Sequence, residues 1–189
     1  MKLHAFAAGS RANGPGLRAV VWFQGCTIGC PGCFNPDTHS ADAGQPLETG
    51  EVWARIDRAR ASAAGLEGVS FSGGEPFQQP DALRELVERC AGARLSVVIF
   101  SGYTRRAIEA LPLGPAILAR TDVLIAGPYR REEHSGAGLL GSANQRIHFL
   151  SERYSAKDFA RVPGAEAVLH RDGTVTLSGI APLRMGPQS

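Results

Sequence analysis

The sequence predicts an α/β fold: an incomplete parallel β/α barrel finished by a small C-terminal β-hairpin. Short apolar runs of strand length alternate with helical patterns up to about residue 150. Those runs are almost continuously apolar, as strands of a parallel sheet covered on both faces must be. A complete eight-fold barrel takes about 250 residues, and the chain has 189, so only part of one can close. A small open doubly wound sheet is the alternative architecture.

Each element has a local reason. Gly14, Pro15 and Gly16 mark a turn before Leu17 to Gln24 (LRAVVWFQ), a β-branched and aromatic run that reads as the first strand and ends directly in a cysteine-rich loop. Leu47 to Ala64, with Val52, Trp53 and Ile56 among many alanines, reads as a helix. Gly68 to Ser72 is a second strand, closed by Gly73 and Gly74. Asp81 after Pro80 is a candidate N-cap, and Leu83, Leu86, Val87 and Cys90 then follow at i, i+3, i+4 and i+7. That spacing places Cys90 on an apolar face, where a free cysteine behaves as a small hydrophobe.

Leu95 to Phe100 is a third strand, Thr104 can cap a short helix through Ile108 and Leu111, and Val123 to Ala126 is a fourth strand. Strand, helix, strand in repetition means parallel pairing through right-handed crossovers. After about Ser151 the alternation stops. Ala165 to His170 and Thr174 to Ser178 flank Arg171, Asp172 and Gly173, and Asp-Gly between strand-like runs signals a hairpin. Residues 1–151 therefore read as the core, and 152–189 as an appendage with a loose tail from Met185 to Ser189.

Composition narrows the function classes. A net charge of +2 asks for neither nucleic acid nor an acidic membrane as partner. No apolar run approaches the roughly 20 residues of a membrane span, and the start MKLHAFAAGSR is too short in apolar residues for a secretory signal. The expected compartment is the cytoplasm, whose reducing conditions keep thiols free as ligands.

Cys26, Cys30 and Cys33 form a C-x3-C-x2-C cluster and are three of four cysteines in the chain. Thiolates hold iron–sulfur clusters, and a four-iron cluster normally takes four. Three closely spaced ligands leave one iron free to bind a cofactor. A structural zinc site with His39 as fourth ligand is the other reading, although zinc sites usually repeat a C-x2-C pair and none returns here. The segment SFSGGEPFQQ, residues 70–79, is a second constellation. Its glycines let backbone approach a ligand closely, and Glu75 offers a carboxylate suited to an ammonium group.

Together these motifs resemble the radical SAM superfamily, and within it most closely the small glycyl-radical-enzyme activases, especially the activating protein of anaerobic ribonucleotide reductase. The likeness rests on NGPGLR (13–18), FQGCTIGCPGCFNP (23–36), FSGGEPFQQ (71–79), SGYT (101–104), DVLIAGPY (122–129) and GSANQR (141–146). The resemblance implies that Cys26, Cys30 and Cys33 ligate a [4Fe–4S] cluster whose free iron is chelated by S-adenosylmethionine (SAM). It implies further that Ser72, Gly73, Gly74 and Glu75 hold the methionine ammonium. Reductive cleavage would then yield a 5′-deoxyadenosyl radical that takes hydrogen from a glycine Cα of a partner enzyme, with a flavodoxin or ferredoxin as electron donor.

Two positions depart from the superfamily pattern. Gly32 stands where many members carry an aromatic beside the adenine, so adenine is expected near Ser101 to Tyr103. Ala126 stands where these activases usually have an aspartate. A radical SAM enzyme acting on a small molecule, such as a deazaguanine precursor, and a non-catalytic metal-binding module are the alternative functions. Asn144, Gln145 and Arg146 could line the site or form an exposed turn; Arg18 could serve function or an ordinary salt bridge; His4, His134, His148 and His170 show no ligand spacing.

Overall fold

The computed structural model describes residues 1–62, 65–169, 173 and 175–180. In chain order the elements are β1 (Lys2–Ser10), β2 (Leu17–Phe23), β3 (Gln45–Pro46), α1 (Thr49–Ser62), β4 (Leu66–Gly73), α2 (Pro80–Gly92), β5 (Ser96–Ser101), α3 (Arg105–Glu109), α4 (Gly114–Leu118) and β6 (Val123–Ala126). There follow β7 (His134–Ala137), β8 (Leu140–Ser142), β9 (Arg146–Phe149), α5 (Ala156–Phe159), β10 (Ala165–Leu169) and β11 (Val175–Gly179).

The central sheet runs β3-β1-β2-β4-β5-β6-β9. Its middle is parallel, β2 with β4, β4 with β5 and β5 with β6, as the alternation requires. The flanks are antiparallel, with β1 on β2 and β9 on β6. Neither flank was expected from the sequence. β1 is rich in Ala and Gly and buries only Leu3 and Ser10 fully, so it lacks an alternating signal and is ordered by its pairing with β2.

Register explains how one sheet serves two cores. Ala19, Val21, Phe23, Val69, Phe71, Val97, Ile99 and Leu124 face α1, α2 and α4 in the larger core. The alternate residues Val98, Val123 and Ile125 face the other way and meet Leu139, Tyr154 and Phe159 in a second core. The segment after Ser151 thus contributes Tyr154 and Phe159 to covering the sheet's second face. Cys90 is fully buried in the larger core, where burial pushes its thiol up to about 12.

Capping differs from expectation at one helix. Gln79, not Asp81, occupies the N-cap of α2, with Pro80 in the first turn. The Gln79 side chain is occupied elsewhere: Nε2 donates to Lys2 O and Gln24 O, and Oε1 accepts from Lys2 N. Thr104 caps α3 as expected, its hydroxyl accepting from Ala107 N at 3.2 Å. β10 and β11 pair antiparallel as the Asp-Gly signal predicts. Asp172, His170 and the tail from Met185 lie outside the described residues.

Candidate active site at the carboxyl ends of the strands

β2, β4 and β5 run parallel, so the segments that follow them emerge at one rim. A cavity of about 380 Å³ opens there. It is lined by Cys26, Cys30 and Cys33 from the loop after β2, by Ser72 to Glu75 from the end of β4, and by Ser101 and Gly102 from the end of β5. The volume falls within the range of small-molecule and cofactor sites.

Two glycines make the junction possible. A Cβ on Gly73, whose φ is +102°, would lie 2.4 Å from the backbone N and O of Phe23; one on Gly74 would lie 2.2 Å from Gly25 O. Their absence lets Gly74 N donate to Phe23 O at 2.8 Å and Glu75 N to Gly25 O at 2.9 Å. The end of β4 is thereby stitched to the root of the cysteine loop.

Three glutamines hold the loop itself. Gln24 is buried, and its Nε2 donates to Asp37 O and Ser40 O, drawing the returning chain back to where the loop leaves β2. Gln78 accepts from Thr27 N and donates to Thr27 Oγ1 and the Tyr103 hydroxyl. Gln79 reaches Gln24 O. The sequence placed these residues inside the motifs without assigning them work, and no local pattern marks them out.

The thiols are half-buried, and burial raises those of Cys26 and Cys33, with Cys30 and Cys33 adding mutual repulsion at Cys33. Backbone N–H groups of Ile28 and Gly29 offset this at Cys26, and Asn35 N donates to Cys33 Sγ at 3.4 Å. Such amide donors stabilise the thiolate state that an iron–sulfur cluster requires, so the donor set fits that group. Among the described residues, no three His, Cys, Asp or Glu side chains converge into a set that could hold a metal ion. The three thiols and His39 line one common cavity.

Glu75 lies in the cavity wall yet is 0% exposed. Oε1 accepts from Phe77 N at 3.0 Å and Ser101 Oγ at 2.9 Å, and Oε2 accepts from Gly102 N at 2.8 Å and Ser101 Oγ at 3.0 Å. Burial pushes the carboxyl up to about 7 against the pull of these donors. A buried carboxylate met by neutral donors alone keeps its charge uncompensated until a cation arrives.

The remaining candidates are sorted by position. Tyr103 packs against the larger core, with its hydroxyl on Gln78 rather than in the cavity wall. Ala126 is buried in the same core. Gln145 does line the cavity, but its amide is committed to Gly141 N and Gly127 O, and Asn144 is committed to Pro128 O and Ser142 Oγ. GSANQR thus locks the chain after β6 in place. Phe34, directly after Cys33, is 43% exposed and lines the cavity beside Tyr129, their ring centroids 4.6 Å apart.

A thiol-lined cavity at the carboxyl ends of parallel strands, with amide donors on its sulfurs, marks an α/β protein with a cysteine site. Residues 12–148 match the family described as "4Fe-4S single cluster domain", and the chain belongs to that family. The chain is 31% identical over 159 residues to the anaerobic ribonucleoside-triphosphate reductase-activating protein of Vibrio cholerae, covering 78% of this chain and 97% of that one. It is 28% identical over 158 residues to the protein of the same name from Escherichia coli K12, covering 79% and 99%. A third relative, the pyruvate formate-lyase-activating enzyme of Clostridium pasteurianum, is 36% identical over 92 residues, covering 47% of this chain and 38% of that one. These findings agree with the radical SAM activase resemblance carried by the motifs.

Proposed function

We propose that this protein is a radical SAM enzyme that generates a glycyl radical on a partner enzyme of the anaerobic ribonucleotide reductase or formate acetyltransferase type. One observation carries the reading: the cysteine loop, Gly73 to Glu75 and Ser101 to Gly102 line a single cavity. When bound, a reduced cluster with SAM supplies the electron that opens the sulfonium carbon–sulfur bond and the 5′-deoxyadenosyl radical that takes hydrogen from the substrate. The names of the relatives, activators of a ribonucleotide reductase and of pyruvate formate-lyase, support a protein as that substrate.

The residues of this chain do the positioning. Cys26, Cys30 and Cys33 are the ligands of three irons, their thiolates favoured by the amides of Ile28, Gly29 and Asn35. Glu75 takes the ammonium of SAM. The Ser101 hydroxyl, which donates to both carboxylate oxygens, gives way to the stronger charged donor. Ser72, Gly73 and Gly74 present backbone to the same end of the ligand. The sheet acts as an incomplete barrel, with residues 1–151 carrying the cysteines and Glu75, 152–189 following as a C-terminal segment whose hairpin reaches the cavity, and the cytoplasm as its compartment. A flavodoxin or ferredoxin supplies the electron.

Anaerobic reconstitution with iron and sulfide, followed by dithionite and SAM, is expected to yield methionine and 5′-deoxyadenosine. Cys30→Ala should abolish this and lower bound iron, while Cys90→Ala should retain both. Cleavage persisting in Cys30→Ala would end the assignment.

A further inference from the structure

The C-terminal hairpin is built into the site. Thr176 to Ile180 line the same cavity as the three cysteines, although they lie beyond residues 12–148 of the family match. The hairpin is fastened to the β1–β2 turn: Arg11 N donates to Glu166 Oε2 at 2.9 Å, and Asn13 Nδ2 to Ser178 Oγ at 2.6 Å. Its end, Ile180, packs into the second core.

The cavity lining combines Glu75, Ser101 and the thiols with an apolar set, Trp22, Phe100, Ile125, Leu139, Leu177 and Ile180. Of the apolar set, Phe100, Ile125, Leu139 and Ile180 belong to the second core. That apolar set is taken as the substrate half, with the sheet residues Trp22, Phe100 and Ile125 as its floor. Among the described residues the lining includes Glu75 and the three thiols, with His4 and His39 but no lysine or arginine, so an anionic substrate meets the like charge of Glu75 on entry. Leu177 is 50% exposed, belonging at once to the wall and to the surface.

We propose that the hairpin, through Leu177, is the specificity-determining wall of the substrate half, admitting an uncharged backbone segment and rejecting anionic ones. This rests on the glycyl-radical reading and adds the element of this chain that selects the substrate. Val175 provides the internal control, since it sits on the same strand, 47% exposed, and does not line the cavity.

The test uses the reconstituted full chain in a Trp53→Phe background, so that Trp22 emission reports on the floor of the cavity. The probes are N-acetyl-Ala-Gly-Ala-amide and N-acetyl-Asp-Gly-Asp-amide, each with α-deuterated glycine. With SAM and dithionite, one electron opens the carbon–sulfur bond, the glycine Cα–deuterium bond breaks homolytically, and the deuterium atom moves to the 5′ carbon, leaving the radical on the peptide.

The neutral peptide is expected to perturb Trp22 and label 5′-deoxyadenosine at about tenfold lower concentration than the anionic one. Leu177→Lys should erase that preference by about tenfold, and Val175→Lys should keep it. Equal effects of the two lysine variants, no preference in the parent protein, or no response of Trp22 to either peptide would each overturn the proposal. Absence of 5′-deoxyadenosine from every protein would instead overturn the radical SAM reading, and the Trp22 titration still judges the hairpin.

Discussion

Arg18 and Glu75 sit near opposite ends of the same parallel strands, both 0% exposed, and their surroundings differ in kind. Arg18, near the start of β2, spends its guanidinium on neutral oxygens. Nε donates to Ser70 Oγ; Nη1 donates to Pro15 O, Ser96 Oγ and the Tyr154 hydroxyl; Nη2 donates to Val69 O and Ser96 O. Tyr154 passes the interaction on to Glu67. Burial lowers the Arg18 pKa, and Tyr154 leads the interactions that oppose this. The salt bridge expected as the ordinary alternative is replaced by this network, which ties β2, β4, β5 and the C-terminal segment together. Glu75, at the other end, is also fully hydrogen-bonded, but one of its partners is a rotatable serine hydroxyl and it lies in a cavity wall. The amino ends of the strands are locked to themselves, and the carboxyl ends border an open cavity.

The largest effect should come from breaking the locked end. Arg18→Met removes the donor to the Ser70 and Ser96 hydroxyls and to three carbonyls, Pro15 O, Val69 O and Ser96 O, and is expected to cost about 3–5 kcal/mol in urea unfolding. Loss of SAM binding per folded molecule in that variant would collapse the distinction between the two ends. The next effect is a pH dependence. The Glu75 carboxyl is raised from 4.5 to about 7 in the fold, so its contribution to the stability of the ligand-free protein is full below about pH 4.5 and falls by about 3 kcal/mol as pH rises through 7. Chemical denaturation across that window should show the slope, and Glu75→Gln should flatten it.

A smaller change is expected in affinity. Glu75→Gln keeps the shape of the site but loses the charge, so SAM should bind on the order of 10- to 100-fold more weakly by calorimetry. In the parent protein that affinity should rise as pH passes 7, because only the ionised carboxylate attracts the ammonium. The smallest effect sharpens the comparison from the other side. Tyr154→Phe removes one hydroxyl from the Arg18 network and should cost about 1 kcal/mol with SAM affinity unchanged.

Legibility in the sequence followed the range of the signal. The parallel strands and α2 were readable because each announces itself within a few residues, through apolar runs or the spacing of Leu83, Leu86, Val87 and Cys90. The cysteines and Gly73 to Glu75 could be singled out as candidates because residue type and spacing are local, and the structure brings them to one cavity. β1 and β9 escaped notice, since both are ordered by neighbours and not by their own pattern. The work of Gln24, Gln78 and Gln79 was equally hidden, because a glutamine shows its role only once its partners are known.

The sequence by itself offered the three thiols, the carboxylate and the alternation that brings both to one rim, since thiol spacing and strand periodicity are local properties. Only the tertiary structure decided that Arg18 is satisfied without a carboxylate in direct contact, that Tyr103 turns away from the cavity, and that the hairpin after Gly164 walls the site instead of hanging from it. Each of these depends on contacts between residues far apart in the chain. Burial and hydrogen-bond satisfaction are properties of the packed whole, and no local pattern encodes them.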